Sequence, residues 1–144
     1  MVMIRIIAGG KKSRGFILEG QDEYLKRLKK PVDAQISYLD DAKIADLAHN
    51  WPFKPSEYVI LLDERGEIIS SPELSQRLEK AFVSGKSVTI IIGGAYGVSQ
   101  DIRDKADFVW SISKLVFPHE LMRVILSEQI YRAQEISRGS KYHH

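Results

Sequence analysis

The chain has 144 residues, 44% of them hydrophobic and 28% charged, and no cysteine. That composition suits one globular domain burying roughly 70% of its unfolded surface, and it excludes disorder and a disulfide scaffold. Twenty-one Lys and Arg against nineteen Asp and Glu leave a formal charge of +2, too small by itself to announce a nucleic-acid binder.

The opening run Met3 to Ala8 is short and apolar and stops at Gly9-Gly10, which predicts a first strand with a turn at its carboxyl end. Gly9, Gly10, Lys11 and Lys12 also interrupt any signal-peptide pattern. Between Ser13 and Lys29, Ile17, Tyr24, Leu25 and Leu28 share an approximate helical face, and Pro31 ends the segment. Val32 to Leu39 alternates apolar and polar residues, as a half-exposed strand does. Asp40 and Asp41 are cap residues for a short helix carrying Ile44, Leu47 and Ala48. The Pro-rich stretch Trp51 to Pro55 is too short to divide domains, so one domain over residues 1–144 is expected.

Tyr58 to Leu62 is continuously apolar, the pattern of a strand buried on both faces, and Asp63-Glu64-Arg65-Gly66 reads as a turn after it. Ser71-Pro72 reads as a helix start, with Ser71 as cap, and Gly85 stops that helix. Val88 to Ile92 is a second buried strand and the longest apolar run, far too short to span a bilayer; it ends in Gly93-Gly94-Ala95-Tyr96-Gly97. Ser99 is the cap of a short helix to Lys105, Phe108 to Trp110 opens the last strand, and the longest helix runs from Pro118 to about Ser137. Strands alternating with helices predict an α/β fold with a mainly parallel sheet and helices on both faces. A soluble cytoplasmic protein with no membrane partner is the expectation.

In such a sheet ligands bind beyond the carboxyl ends of the strands. Three segments gather there: Leu62 to Gly66, Gly93 to Gly97 and Ser111 to Phe117. The glycines read GGxxG, which is neither a dinucleotide fingerprint nor a Walker loop, so a tight turn explains them as well as a ligand does. Leu115-Val116-Phe117 before Pro118 makes an apolar loop, and loops are usually polar because their backbone needs water. It therefore needs a cover: a ligand, another segment or another subunit. The four histidines have no metal-motif spacing, and no nucleophile and base pair up, so neither a metal site nor covalent catalysis is expected. Methyl transfer from a sulfonium donor needs only positioning and a hydrogen-bond partner or base for the acceptor. Two basic clusters, Lys11-Lys12-Ser13-Arg14 and the group Arg123, Arg132, Arg138 and Lys141, read equally as solvated surface or as phosphate contacts.

Taken together, VILLDERGE, IIIGGAYG, WSISKLVFPHELMRVILSEQIYRA and the closing RGSKYHH resemble the RlmH family, small SPOUT-class methyltransferases acting on N3 of a pseudouridine in 23S ribosomal RNA. The likeness covers essentially the whole chain. It implies a deep trefoil knot holding S-adenosylmethionine, with Leu62, Gly93, Gly94 and the run Ile112, Ser113, Lys114, Leu115, Val116 and Phe117 around the cofactor. It implies a homodimer, packed through the last helix, with one subunit's tail completing the other's site. It also implies acceptor-site roles for His119, Arg132, Tyr142 and His143 on 23S rRNA within the assembled ribosome: Arg132 on phosphate, Tyr142 and His143 orienting or deprotonating the base. Arg132 could instead pair with Glu128 or Glu135, and His119 could simply start its helix. The alternative function is a non-catalytic knotted RNA- or nucleotide-binding module.

Overall fold

A computed structural model describes residues 2–144. Its elements are β1 (Val2–Gly9), α1 (Gly15–Leu25), β2 (Val32–Leu39), α2 (Asp41–Asp46), β3 (Glu57–Ile68), α3 (Ser71–Val83), β4 (Ser87–Ile92), α4 (Gln100–Lys105), β5 (Phe108–Ser111) and α5 (His119–Ser137). The five strands form one sheet in the order β2-β1-β4-β3-β5, and every neighbouring pair is parallel.

The apolar runs follow from burial on both faces. Side chains alternate along a strand, so Ile4, Ile6, Ile60, Leu62, Ile90 and Ile92 face one core with Leu74 and Leu78 of α3 and Leu126, Ile130 and Ala133 of α5. Ile7, Val59, Leu61 and Ile91 face a second core with Ile44 of α2 and Ile102 of α4. Trp51 and Phe53 pack edge to face at 4.9 Å and help cover this second core. Each fully buried aliphatic side chain stabilises by about 1.5–3 kcal/mol, which is why the central strands carry almost no polar residue. Strand β2, at the sheet edge, is the one that alternates.

Three boundaries differ from the sequence reading. Helix α1 stops at Leu25, short of Lys29; beyond it the Lys29 backbone bonds to Gln134 of α5, its N–H donating at 2.9 Å and its carbonyl accepting at 2.7 Å. The cap of α3 is Ser70, whose hydroxyl accepts from the Glu73 N–H; Ser71 instead donates to Gln129 of α5 at 2.7 Å. Asp63 to Gly66 is not a turn that ends a strand. Strand β3 continues through it to Ile68, with Leu62 and Glu67 both opposite Trp110, so the intervening residues bulge out of the ladder. Gly66 lies so close to β5 that a Cβ there would stand 2.6 Å from the Val109 carbonyl oxygen.

Candidate active site

Because the sheet is parallel, β3, β4 and β5 deliver their carboxyl ends to one edge. Asp63 to Arg65, Gly93 to Val98 and Ser111 to His119 surround a cleft of about 580 Å³ there, floored by Leu62, Ile92 and Trp110. That volume lies within the ~300–1,000 Å³ range of small-molecule sites. Leu62, Gly93, Gly94, Ile112, Ser113, Leu115, Val116, Phe117 and His119 all line it, whereas Lys114 does not.

The apolar loop is ordered by its own serines. Ser111 donates to the Ser113 carbonyl at 2.9 Å, and the Ser113 hydroxyl accepts from the Leu115 N–H at 2.9 Å. Local hydroxyl-to-backbone bonds of this kind satisfy a turn without a regular element. They leave the side chains of Leu115 and Val116 69% and 77% exposed, and Tyr96 across the cleft 90% exposed. The glycine segment closes through a bridge between Gly94 and Gly97, with the Gly97 N–H on the Gly94 carbonyl at 3.0 Å and a φ of 73° at Gly97 that favours glycine.

Asp63, in the β3 bulge, is nearly buried and pairs with Arg103 of α4 at 3.0 Å. Burial pushes its carboxyl up, but hydrogen bonds from the Arg65 N–H, the Arg65 side chain and Arg103 outweigh that and hold it below the ordinary carboxylate range. This pair ties the cleft wall to α4. Trp110 is buried, and its indole Nε1 is enclosed without a hydrogen-bond partner among the described residues.

The four expected acceptor-site residues fall into two groups. His119 opens α5 at the cleft. Arg132, Tyr142 and His143 meet 13 residues later, about 20 Å along the helix at 1.5 Å per residue. Glu128, one turn before Arg132, organises them: its Oε2 accepts from Arg132 at 2.7 Å and from the Tyr142 hydroxyl at 2.8 Å. Arg132 also donates to His143 Nδ1 at 3.0 Å, and the Tyr142 ring packs on Tyr131 at 4.8 Å. Burial, followed by the Glu128 contact, pushes the Tyr142 hydroxyl up to about 12. Glu128 escaped the sequence-based assignment of a site, although its i,i+4 spacing to Arg132 was the available signal.

Arg123 corrects the basic grouping at the chain end. It is fully buried, donating to the carbonyls of Gly9 and Lys11 and to the Ser13 hydroxyl at 2.9–3.0 Å; a side chain so enclosed is no surface contact for phosphate. Among the described residues there is no cluster of three or more potential metal ligands, and no helix is long and apolar enough to cross a membrane.

The chain with this carboxyl-edge cleft belongs to the SPOUT methyltransferase family: a family model described as a predicted SPOUT methyltransferase matches residues 2–143. Curated relatives carry the name ribosomal RNA large subunit methyltransferase H. That of Desulfitobacterium hafniense is 42% identical over 159 residues, covering 99% of both chains. Those of Dictyoglomus thermophilum, at 42% over 151 residues and 98% and 99% of the two chains, and of Acetivibrio thermocellus, at 37% over 156 residues and 97% and 98%, are similar over the same span. The family expected from the sequence motifs is borne out.

Proposed function

We propose that this chain is an S-adenosylmethionine-dependent methyltransferase that methylates N3 of a pseudouridine in 23S rRNA, working in the cytoplasm on the assembled ribosome as a homodimer of single-domain subunits, residues 1–144. The observation that carries the reading is the cleft: in a chain of the SPOUT family, the segments singled out for the cofactor converge on one cavity of about 580 Å³.

Its lining fits adenosylmethionine. Leu62, Ile92, Ile112, Val116 and Met122 offer apolar walls for a flat purine, and Gly93 and Gly94 let backbone come close. Lys114 lies in the same loop without lining the cleft, so its expected cofactor role is not carried by the cleft geometry. We take the C-terminal part of the chain to wrap this site as a deep trefoil knot. When bound, the cofactor supplies a methyl group activated by a positive sulfonium. The chain's own part is to hold the acceptor nitrogen in line and to keep water out.

Two features support the homodimer. Arg132, Tyr142 and His143 sit about 20 Å along α5 from the cleft, so one subunit alone does not bring them to it; a partner whose α5 packs alongside does. Leu115 and Val116 remain uncovered in the single chain, and large exposed apolar groups mark interaction sites. The geometry of the cluster also favours orientation over proton removal. A tyrosine with its pKa near 12 stays protonated at neutral pH. An arginine can only donate, so His143 Nδ1 accepts and its remaining nitrogen carries the hydrogen. His143 thus presents an N–H to the base and Tyr142, whose proton is held by Glu128, an acceptor oxygen, while Arg132 faces phosphate.

The test is mass spectrometry of 23S rRNA from cells lacking the protein. One methyl group missing from a pseudouridine, restored by the intact gene, is expected; an unchanged methylation pattern would overturn the proposal.

A further inference from the structure

The loop between β1 and α1, residues 10–14, carries the first basic cluster, and its pattern sorts itself by burial. Ser13 turns inward and is buried, while Lys11, Lys12 and Arg14 are exposed. Three cations are thereby presented on five residues.

The loop is held from beneath by a buried polar chain. Arg123 donates to the carbonyls of Gly9 and Lys11 and to Ser13; Ser13 donates to Gln21 at 2.8 Å, and Gln21 to the Tyr38 hydroxyl at 2.8 Å. The Arg123 guanidinium also lies 5.1 Å from the Tyr38 ring centre. Its partners among the described residues include no carboxylate, so its charge is solvated by dipoles and left unneutralised. Arg123, Ser13 and Gln21 are buried, so breaking their bonds is costly, and that ties the loop to α1 and α5. An unneutralised buried cation also adds to the positive potential above it.

The loop's location is specific. It leaves the sheet at the carboxyl edge, beside the cleft: a Cβ on Gly9 would stand 2.6 Å from the Gly94 backbone nitrogen, and one on Gly10 would stand 3.5 Å from His119 Nε2. His119, which lines the cleft, and the buried Arg123, one turn further along α5, therefore both lie against the loop at Gly10. Asp40 caps α2 through the Lys43 N–H, and Asp41 lies close to Gly94.

We infer that this loop is a preformed phosphate-docking platform for the acceptor RNA, with Lys11, Lys12 and Arg14 gripping backbone phosphates so that the target base is presented to the cleft beside His119. The inference rests on the methyltransferase reading and deepens it. The grip is electrostatic and sequence-independent: it sets register, while the cleft selects the base. It also fits the chain's small net charge, since three cations concentrated at the cleft mouth do what a dispersed excess would not.

The test uses the full chain, intact ribosomes and labelled adenosylmethionine across a salt series. Each phosphate contact contributes about 0.7–0.9 to the slope of log affinity against log salt. The neutral triple variant Lys11→Gln, Lys12→Gln, Arg14→Gln is expected to raise KM for ribosomes on the order of tenfold at low salt and to flatten that slope by about 2–3. Its cofactor affinity and kcat at saturating substrate should match wild type. The charge-keeping variant Lys11→Arg, Lys12→Arg, Arg14→Lys should retain wild-type KM. An unchanged KM and slope in the neutral variant would overturn the inference, as would equal impairment of the charge-keeping variant, which would mark a purely structural role. Should the wild-type chain transfer no methyl to ribosomal RNA, the methyltransferase reading falls by itself; co-sedimentation with ribosomes in the same salt series then decides the loop, with identical binding of wild type and neutral variant refuting it.

Discussion

Replacing Glu128 by Gln keeps the shape of the side chain and removes the charge on which the C-terminal tail converges. Three charge-dependent contacts go with it: Arg132 Nε and Nη2 on the carboxylate at 3.1 and 2.7 Å, and the Tyr142 hydroxyl at 2.8 Å. A buried hydrogen bond to a charged group is worth about 1.5–3 kcal/mol and an exposed ion pair about 0.2–1 kcal/mol. With the Arg132 and Glu128 side chains 24% and 16% exposed, an intermediate value of about 1–2 kcal/mol suits the pair, and about 1 kcal/mol the tyrosine. The glutamine oxygen retains one neutral acceptor, so roughly 2 kcal/mol of tail docking is lost, a factor of about 30 in the docking equilibrium constant. Methyl-transfer assays on ribosomes should show kcat/KM down by up to that factor, with adenosylmethionine affinity by calorimetry unchanged because the cleft lies at the other end of α5. Activity within twofold of wild type would refute a role for the docked tail, and a matching loss of cofactor affinity would refute the separation of the two sites.

The raised Tyr142 hydroxyl stabilises the docked tail below the ordinary tyrosine range near 10, and that contribution is lost as pH rises through about 12; ultraviolet titration should show one late-ionising tyrosine that Tyr142→Phe removes. Asp63 works in the opposite direction, since its depressed carboxyl contributes stability above its ordinary value of 3.8, lost as pH falls through its folded value. Asp63→Asn should therefore melt below wild type at pH 7, with the gap closing as both are taken to acid. Gly66→Ala drives a methyl into the Val109 carbonyl and should destabilise by about 1–3 kcal/mol or more in chemical denaturation. Leu126→Ala, at a fully buried position of α5, should cost about 2–5 kcal/mol.

Where apolar pattern alone decides, the chain was legible. The runs around Ile60 and Ile90 are continuous because those strands have cores on both faces, and β2 alternates because it is an edge. The boundaries that differ involve distant partners: the Lys29 backbone beyond α1 is bonded to Gln134, and Trp110 pairs with both Leu62 and Glu67 so that β3 runs through its bulge. The cleft segments could be named because strand ends in a parallel sheet share an edge. Glu128 and Arg123 could not be weighed the same way. Both are charged residues in a helix whose apolar arc accounts for the rest of the pattern, and only the fold reveals that one gathers the tail and the other holds the β1–α1 loop.

The most direct test is transfer of labelled methyl from adenosylmethionine to purified ribosomes lacking the modification, set beside the same reaction on isolated 23S rRNA and followed by mapping of the label. Stoichiometric label at N3 of one pseudouridine, far faster on the ribosome than on free RNA, is the expected result. Label at equal rates on both substrates would contradict action on the assembled particle, and no incorporation in the presence of bound cofactor would contradict the proposed activity.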